Sequence, residues 1–208
     1  MTSDTVYFTN SNKQQLFDLW APLYDFLFPS VFYRAIHQRM LEYVELPQSP
    51  NVLDIGCGTG RLLHRLGTER SDLQGTGLDF SAEMLRQARR SNRYPSRLIF
   101  VPGSAAPLRF ANEQFDAVFN TFSFLHYLEP ERVFAEINRV LRPGGTFYLV
   151  DPTTSAPTGI QLVPVTPSGI RLYSPRIREQ MGKQVGFKCL KYQYLLGPNL
   201  LTIFTKVS

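Results

Sequence analysis

Residues 54–60 read DIGCGTG, with Gly56, Gly58 and Gly60 alternating with other residues directly after the apolar run NVLDI. Glycine at such a point permits a tight turn and lets a ligand come against bare backbone. A helix opening just beyond the loop would turn unpaired N–H groups toward that ligand. The spacing is G-x-G-x-G, not the G-x-G-x-x-G of dinucleotide folds. Asp79 follows about twenty residues after the loop, and an acidic residue so placed accepts hydrogen bonds from both hydroxyls of a ribose. The same carboxylate also fits a plainer role, as a negative charge at a helix N-terminus. Together the residues suggest a site for a ligand with a nucleoside part. The histidines His37, His64 and His126 have no metal-ligand spacing with Cys57 and Cys189, so no metal is expected.

Elements must hold these residues in place, and the sequence alternates accordingly. NVLDI (51–55) reads as a strand, RLLHRLGTE (61–69) as a helix and LQGTGLDF (73–80) as a second strand. SAEMLRQARRSN (81–92) reads as a helix with Ser81 as its N-cap, and Pro95 lies beyond its end. RLIFVPG (97–103) and FDAVFNT (115–121) are strands, ERVFAEINRVL (131–141) is a helix, RPGG (142–145) is a turn, and TFYLVD (146–151) is a strand. Strand alternating with helix at this spacing predicts parallel βαβ units. The strands are continuous apolar runs, as expected where both faces of a sheet are covered. Before this rhythm, residues 14–46 read as two aromatic-rich helical stretches broken at Pro29. After it, residues 152–173 are proline-rich with little periodicity. SPRIREQMGKQVGF (174–187) reads as a helix, and KCLKYQY (188–194) and LLTIFTK (200–206) as an antiparallel hairpin turned at GPN.

The chain as a whole sets bounds. Its 208 residues suit one domain, 1–208, and 43% hydrophobic with 19% charged residues is a globular composition. The net charge of +5 permits an anionic partner without demanding one. Arg86, Arg89, Arg90, Arg93 and Arg97 fall near one helix face, but a solvated face explains them, and no nucleic-acid-binding module is visible. Two cysteines far apart point to a reducing, cytoplasmic setting, and the polar first fifteen residues predict no signal peptide.

DIGCGTG, LDFSAEML, FDAVFNTFSFLHYL, INRVLRPGG and the late GF follow one another in a pattern that resembles the class I S-adenosylmethionine-dependent methyltransferases. The branch it is most similar to comprises the ubiquinone and menaquinone methyltransferases. The resemblance is strong over residues 50–151 and weaker in WAPLYDFLF and the C-terminal hairpin. It implies a Rossmann-like α/β fold: a seven-stranded, mostly parallel sheet with an antiparallel last strand and helices on both faces. It divides the chain into an N-terminal helical lid (1–47), a cofactor-binding core (48–151) and an acceptor-side segment with the hairpin (152–208). The cofactor implied is S-adenosylmethionine, with S-adenosylhomocysteine as product. The glycine loop would receive its amino-acid part, Asp54 its amino group and Thr59 the same region. Asp79 would take the ribose, and Phe80 and Met84 would pack on the adenine, although both also read as ordinary core. Cys57 reads as a space-filler within the loop. Many relatives have an aspartate for the adenine amino group where this chain has Ser104; the N–H of Ala105 would serve a ring nitrogen. Asn120 and Thr121 match positions lining the cofactor's methionine end.

Transfer of an electrophilic methyl group is an in-line displacement, so alignment in a dry site is the main requirement. A general base is needed only where the acceptor loses a proton. His126, past the fourth strand, is the candidate for that role, and imidazole titrates near neutrality. Tyr24 is the candidate for closing over the cofactor. Packing roles fit both residues as well. His37 and His64 read as structural. The short segment after residue 151 and the aromatic N-terminal helices favour a hydrophobic small-molecule acceptor, quinone-like, phenolic or lipid-amine alike, over protein or nucleic acid, and the aromatics also suit a weak contact with a membrane surface. Two alternatives stand beside the enzyme: a module that binds the cofactor without transferring methyl, and a nucleotide-dependent oxidoreductase, against which the glycine spacing argues.

Overall fold

A computed structural model of the chain describes residues 29–156, 159–164 and 169–207. Helix α1 (Pro29–Leu41) leads into β1 (Asn51–Ile55), α2 (Arg61–Glu69), β2 (Gln74–Asp79), α3 (Ala82–Ser91) and β3 (Leu98–Pro102). Then come β4 (Phe115–Thr121), a 3-10 turn (Phe124–His126), α4 (Pro130–Val140) and β5 (Leu141–Pro152). The chain finishes with β6 (Ile160–Val163), β7 (Ile170–Tyr173), α5 (Pro175–Gln184), β8 (Phe187–Tyr194) and β9 (Asn199–Lys206). The second of the two expected N-terminal helices is α1; the first, with Tyr24, lies outside the described residues.

The main sheet has seven strands in the order β3-β2-β1-β4-β5-β9-β8. The first five are mutually parallel, and β9 runs antiparallel to both of its neighbours. Strand order therefore reverses between β1 and β4, and a crevice opens there at the carboxyl ends of the strands.

Alternation within the strands sorts the core into two layers. Val52, Ala117, Phe119, Tyr148 and Val150 face α1, α2 and α3, where they meet Ile36, Leu63 and Leu85. Their neighbours Leu53, Val118, Phe147 and Leu149 face α4 and α5. On that side α4 buries Val133, Phe134, Ile137 and Val140, one stripe of an amphipathic helix. Phe134 meets Phe124, Phe147 and Phe204 edge-on, a geometry that aromatic rings favour. The caps follow the sequence: Ser81 Oγ accepts from Met84 N at the head of α3, and Ser174 Oγ does the same for Ile177 N at α5.

Two local expectations are corrected. RPGG is not a turn outside the ladder. Leu141 already pairs with Phe115, and the regular register with β4 resumes only at Thr146, so residues 142–145 bulge out within β5. The proline-rich segment also holds a second, two-stranded sheet, β6 paired antiparallel with β7. Ile160 and Leu162 lie exposed on it, so no buried periodicity marks the strands. The arginines of residues 86–97 are solvent-exposed apart from the half-buried Arg97, as a solvated face requires, and three of the five are also engaged by neighbouring groups. Arg89 donates to Phe100 O, Arg97 to the carbonyls of Gly67, Arg70 and Leu73, and Arg86 pairs with Glu83.

Arg178 of α5 is 1% exposed. Its guanidinium donates to the carbonyls of Tyr173, Leu200, Asp151 and Pro152, joining three strands behind the crevice. Burial lowers its pKa to about 10, and the Asp151 carboxylate opposes that shift. Arg178→Met keeps the bulk but strands these carbonyls. It should lower the unfolding free energy by about 3 kcal/mol or more, measured by chemical denaturation. A loss under about 1 kcal/mol would show that water replaces the guanidinium.

Candidate functional site

The glycine loop leaves β1 with Gly56, Gly58 and Gly60 all at positive φ (73°, 52° and 78°). Two of the three are required by the protein itself. A Cβ on Gly56 would collide with the Ser123 side chain, and one on Gly60 would lie 2.6 Å from Phe100 Cε1. A Cβ on Gly58 would meet nothing within 4 Å; it would enter the open cavity in front of the loop. The Asp79 carboxylate fastens this arrangement: Oδ2 accepts from Gly58 N at 2.8 Å and Oδ1 from Ser81 N at 2.9 Å. The N–H groups of Gly56 and Cys57 both donate to Leu78 O.

The cavity has a volume of about 370 Å³ and opens at the carboxyl ends of β1, β2 and β4. On the loop side it is lined by Asp54, Gly56, Cys57, Gly58 and Thr59. Asp79, Phe80 and Met84 follow from β2 and α3; Met84 is buried and Phe80 is 40% exposed. Ser104 and Ala105 line it from the loop after β3, where Ser104 Oγ donates to Ala106 O at 3.0 Å. Thr121 and His126 close the far wall. Of the residues expected from sequence, Gly60 and Asn120 are not on the wall. Gly60 is packed behind the loop. Asn120 is wholly buried, and its Nδ2 donates to Ile55 O (3.1 Å) and Tyr127 Oη (3.0 Å). Tyr24 lies outside the described residues.

Several wall residues went unrecognised in the sequence. Tyr33 and His37 come from α1 one helical turn apart, and His37 Nε2 lies 3.5 Å from Thr121 Oγ1. His37 is therefore a wall residue as well as a packed one. Burial, together with Arg65 and Arg61, lowers its pKa to about 4, so its imidazole is neutral. Phe122, Ser123 and Tyr127 leave β4 as a unit. Ser123 Oγ donates to Ile55 O and is bonded to Tyr127 Oη at 2.9 Å, which holds the turn against the glycine loop. Asp151 Oδ2 accepts from Leu125 N and so fixes the 3-10 turn that carries His126. His64 lies apart, edge-on to Phe100.

Asp54 is the main electrostatic feature. It is 1% exposed, and its Oδ1 is buried with no hydrogen-bond partner. Burial, with Asp79 nearby, pushes its pKa up to about 8. A buried acceptor without a donor is costly, and a cationic amine in the cavity would satisfy it. Cys57 is also buried, and its thiol is pushed well above its ordinary value, so it stays protonated and inert as a nucleophile.

A carboxyl group with a raised folded pKa stabilises the fold at low pH, and that contribution fades as pH rises through the folded value. Asp54 (about 8) and Asp151 (about 7) both do this. The two carboxyl groups should therefore lower the unfolding free energy of the ligand-free protein between about pH 4 and about pH 8, opposed up to about pH 6.5 by the lowered pKa of His37, so the net fall is clearest between about pH 6.5 and about pH 8, and Asp54→Asn should flatten part of the slope. Urea denaturation across that upper range checks this; stability rising with pH there would contradict it.

Comparison with known proteins agrees with this geometry. Residues 52–145 match the family described as a methyltransferase domain. A 2-phytyl-1,4-naphtoquinone methyltransferase of Thermosynechococcus vestitus is 36% identical over 155 residues, covering 70% of this chain and 68% of that protein. A demethylmenaquinone methyltransferase of Chlorobaculum parvum is 29% identical over 210 residues, covering 96% of this chain and 81% of the relative. Among solved structures, the cyclase SpnF matches with a TM-score of 0.83 at 19% identity, over 96% of each chain, a likeness of fold alone. The seven-stranded sheet, the glycine loop beneath an unpartnered buried carboxylate, and these relatives lead to one conclusion: the chain belongs to the class I S-adenosylmethionine-dependent methyltransferases and resembles their ubiquinone and menaquinone branch.

Proposed function

We propose that the chain methylates a small hydrophobic acceptor of the quinol or phenol type. One observation carries this reading. The cavity that begins at the polar glycine loop continues to a wall of Tyr33, Phe122 and Leu128 beside His126. A flat, apolar acceptor with an ionisable hydroxyl suits that wall. The naphthoquinone and menaquinone names of the relatives support the same class.

The cofactor supplies an activated methyl group, and the residues of this chain hold and align it. The buried, unpartnered oxygen of Asp54 fits the cofactor's ammonium group. Thr59 would hold its carboxylate end through its hydroxyl and backbone N–H. Asp79 would accept the ribose hydroxyls while keeping its bonds to Gly58 and Ser81. Phe80 and Met84 would cover the adenine, with Ser104 and the N–H of Ala105 at its edge. Thr121 would sit beside the methionine end, with Asn120 supporting from below through Tyr127. His126 would take the proton from the acceptor hydroxyl, raising the nucleophilicity of the conjugated ring or oxygen. Residues 1–47 would act as the lid, to which α1 contributes Tyr33 and His37, and Tyr24 would close over the cofactor.

Two measurements test this reading. Asp79→Ala should weaken S-adenosylhomocysteine binding by at least about 1.5–3 kcal/mol, the range for hydrogen bonds to a charged group, because it also removes the anchor of the glycine loop at Gly58 and Ser81; titration calorimetry reads the loss. His126→Gln should cut turnover by about 10²–10⁴-fold if it is the base, while cofactor affinity holds. Quinols, phenols and lipid amines with radiolabelled cofactor form the screen. Methylation of amines alone would overturn the acceptor class. Equal loss of turnover and cofactor affinity would move His126 to the cofactor site.

A further inference from the structure

Among the described residues, three that are not glycine adopt positive φ: Ser49, Glu113 and Phe122. Ser49 and Glu113 are exposed, in connections between elements, where a left-handed residue commonly closes a turn. Phe122 (φ 56°) is different. It is aromatic, half-buried and on the cavity wall. A bulky side chain in this conformation is strained, and such strain persists only where the surroundings impose it.

The surroundings here do impose it. Phe122 N donates to Val150 O at 2.8 Å, extending the β4–β5 ladder one step past Thr121. The next residue, Ser123, is held on Ile55 O and Tyr127. Between these fixed points the chain must turn from the strand into the 3-10 turn within one residue. Glycine would make that turn without strain. Phenylalanine makes it too, and adds a ring. That ring lies edge-on to Tyr33, with centroids 4.7 Å apart at 81°, and 5.9 Å from Phe32. Both partners come from α1, so the ring is braced from the lid side while the wall remains open to the cavity.

We infer that Phe122 is a specificity-determining residue, whose ring, braced by Tyr33 and Phe32, is the surface on which a flat ring of the acceptor stacks. The inference rests on the acceptor class proposed above. It assigns the strained turn a purpose: it sets an aromatic ring on the cavity wall beside Tyr33 and His126.

The test compares wild type with Phe122→Gly, Phe122→Leu and Phe122→Tyr. The acceptors are reduced 1,4-naphthoquinone, with two fused rings, and hydroquinone, with one. Phe122→Gly removes the ring and also the backbone strain, and Phe122→Leu keeps apolar bulk without an aromatic face. In both, KM for the two-ring acceptor should rise about 3–10-fold, the worth of an aromatic pair, and the rise should be smaller for the one-ring acceptor. Phe122→Tyr should restore the wild-type KM. Turnover at saturation and S-adenosylhomocysteine affinity should stay within about two-fold in all variants that fold, a split that mere loss of packing would not give. An unchanged KM in an active Phe122→Gly or Phe122→Leu enzyme overturns this inference alone, and so does a parallel loss of cofactor affinity. Wild type that binds S-adenosylhomocysteine but methylates neither acceptor nor any phenol overturns the acceptor class and this inference together.

Discussion

The carboxylate of Asp79 accepts one N–H from the glycine loop and one from the head of α3, and the remaining site geometry depends on that double attachment. The loop bends away from β1 with three residues in left-handed conformations. Without an anchor such a segment would sample many shapes. The bond to Gly58 selects one, and the bond to Ser81 ties that shape to a helix packed on the sheet. The start of the loop is fixed from the opposite side by Ser123, which donates to Ile55 O, and by Tyr127; both flank the 3-10 turn that follows β4. The cavity is thus shaped by hydrogen bonds between segments far apart in sequence.

The cost of this arrangement is electrostatic. Asp54 and Asp79 stand near one another in a region that water barely reaches, and burial and proximity both oppose charging of Asp54. Asp151 is buried at the end of β5 with an Arg178 guanidinium at its back. One carboxyl group has a cation of the protein's own nearby; the other lacks one and faces the cavity. That asymmetry separates a structural acid from one suited to a cationic ligand, and it follows from position and not from residue type.

Much of this was legible in the sequence. The β1–β4 half is built from apolar runs separated by amphipathic helices, the second of them capped by Ser81, and its central loop has a glycine pattern with few structural uses. The C-terminal hairpin was legible for the same local reasons. What escaped reading was non-local. Tyr33 and His37 belong to no motif; only the folding of α1 over the sheet brings them to the cavity. Arg178 lies on a helix rich in charge, where an arginine ordinarily reads as surface, and its burial follows from carbonyls on three distant strands. The β6–β7 pair is short and flanked by prolines, with β6 mostly exposed and β7 half-buried except for Tyr173, so neither strand shows an alternating apolar face. The use of the Asn120 side chain is likewise non-local: its amide donates to Ile55 O and Tyr127 Oη beneath the cavity.

The position of β9 has a consequence for how the chain is made. The strand sits between β5 and β8, and it is the last strand in sequence. Synthesis runs from the N-terminus, so β1 to β5 and the helices around them can dock while the final hairpin is still being translated. Until residues 199–206 emerge, the outer edge of β5 has no strand to pair with, and Phe147 lacks the Phe204 ring that later stacks on it. An unpaired apolar edge of this kind is a template for another chain. The half of the sheet that forms the cavity can therefore dock early, and its exposure to aggregation ends only when residues 199–206 pair with β5.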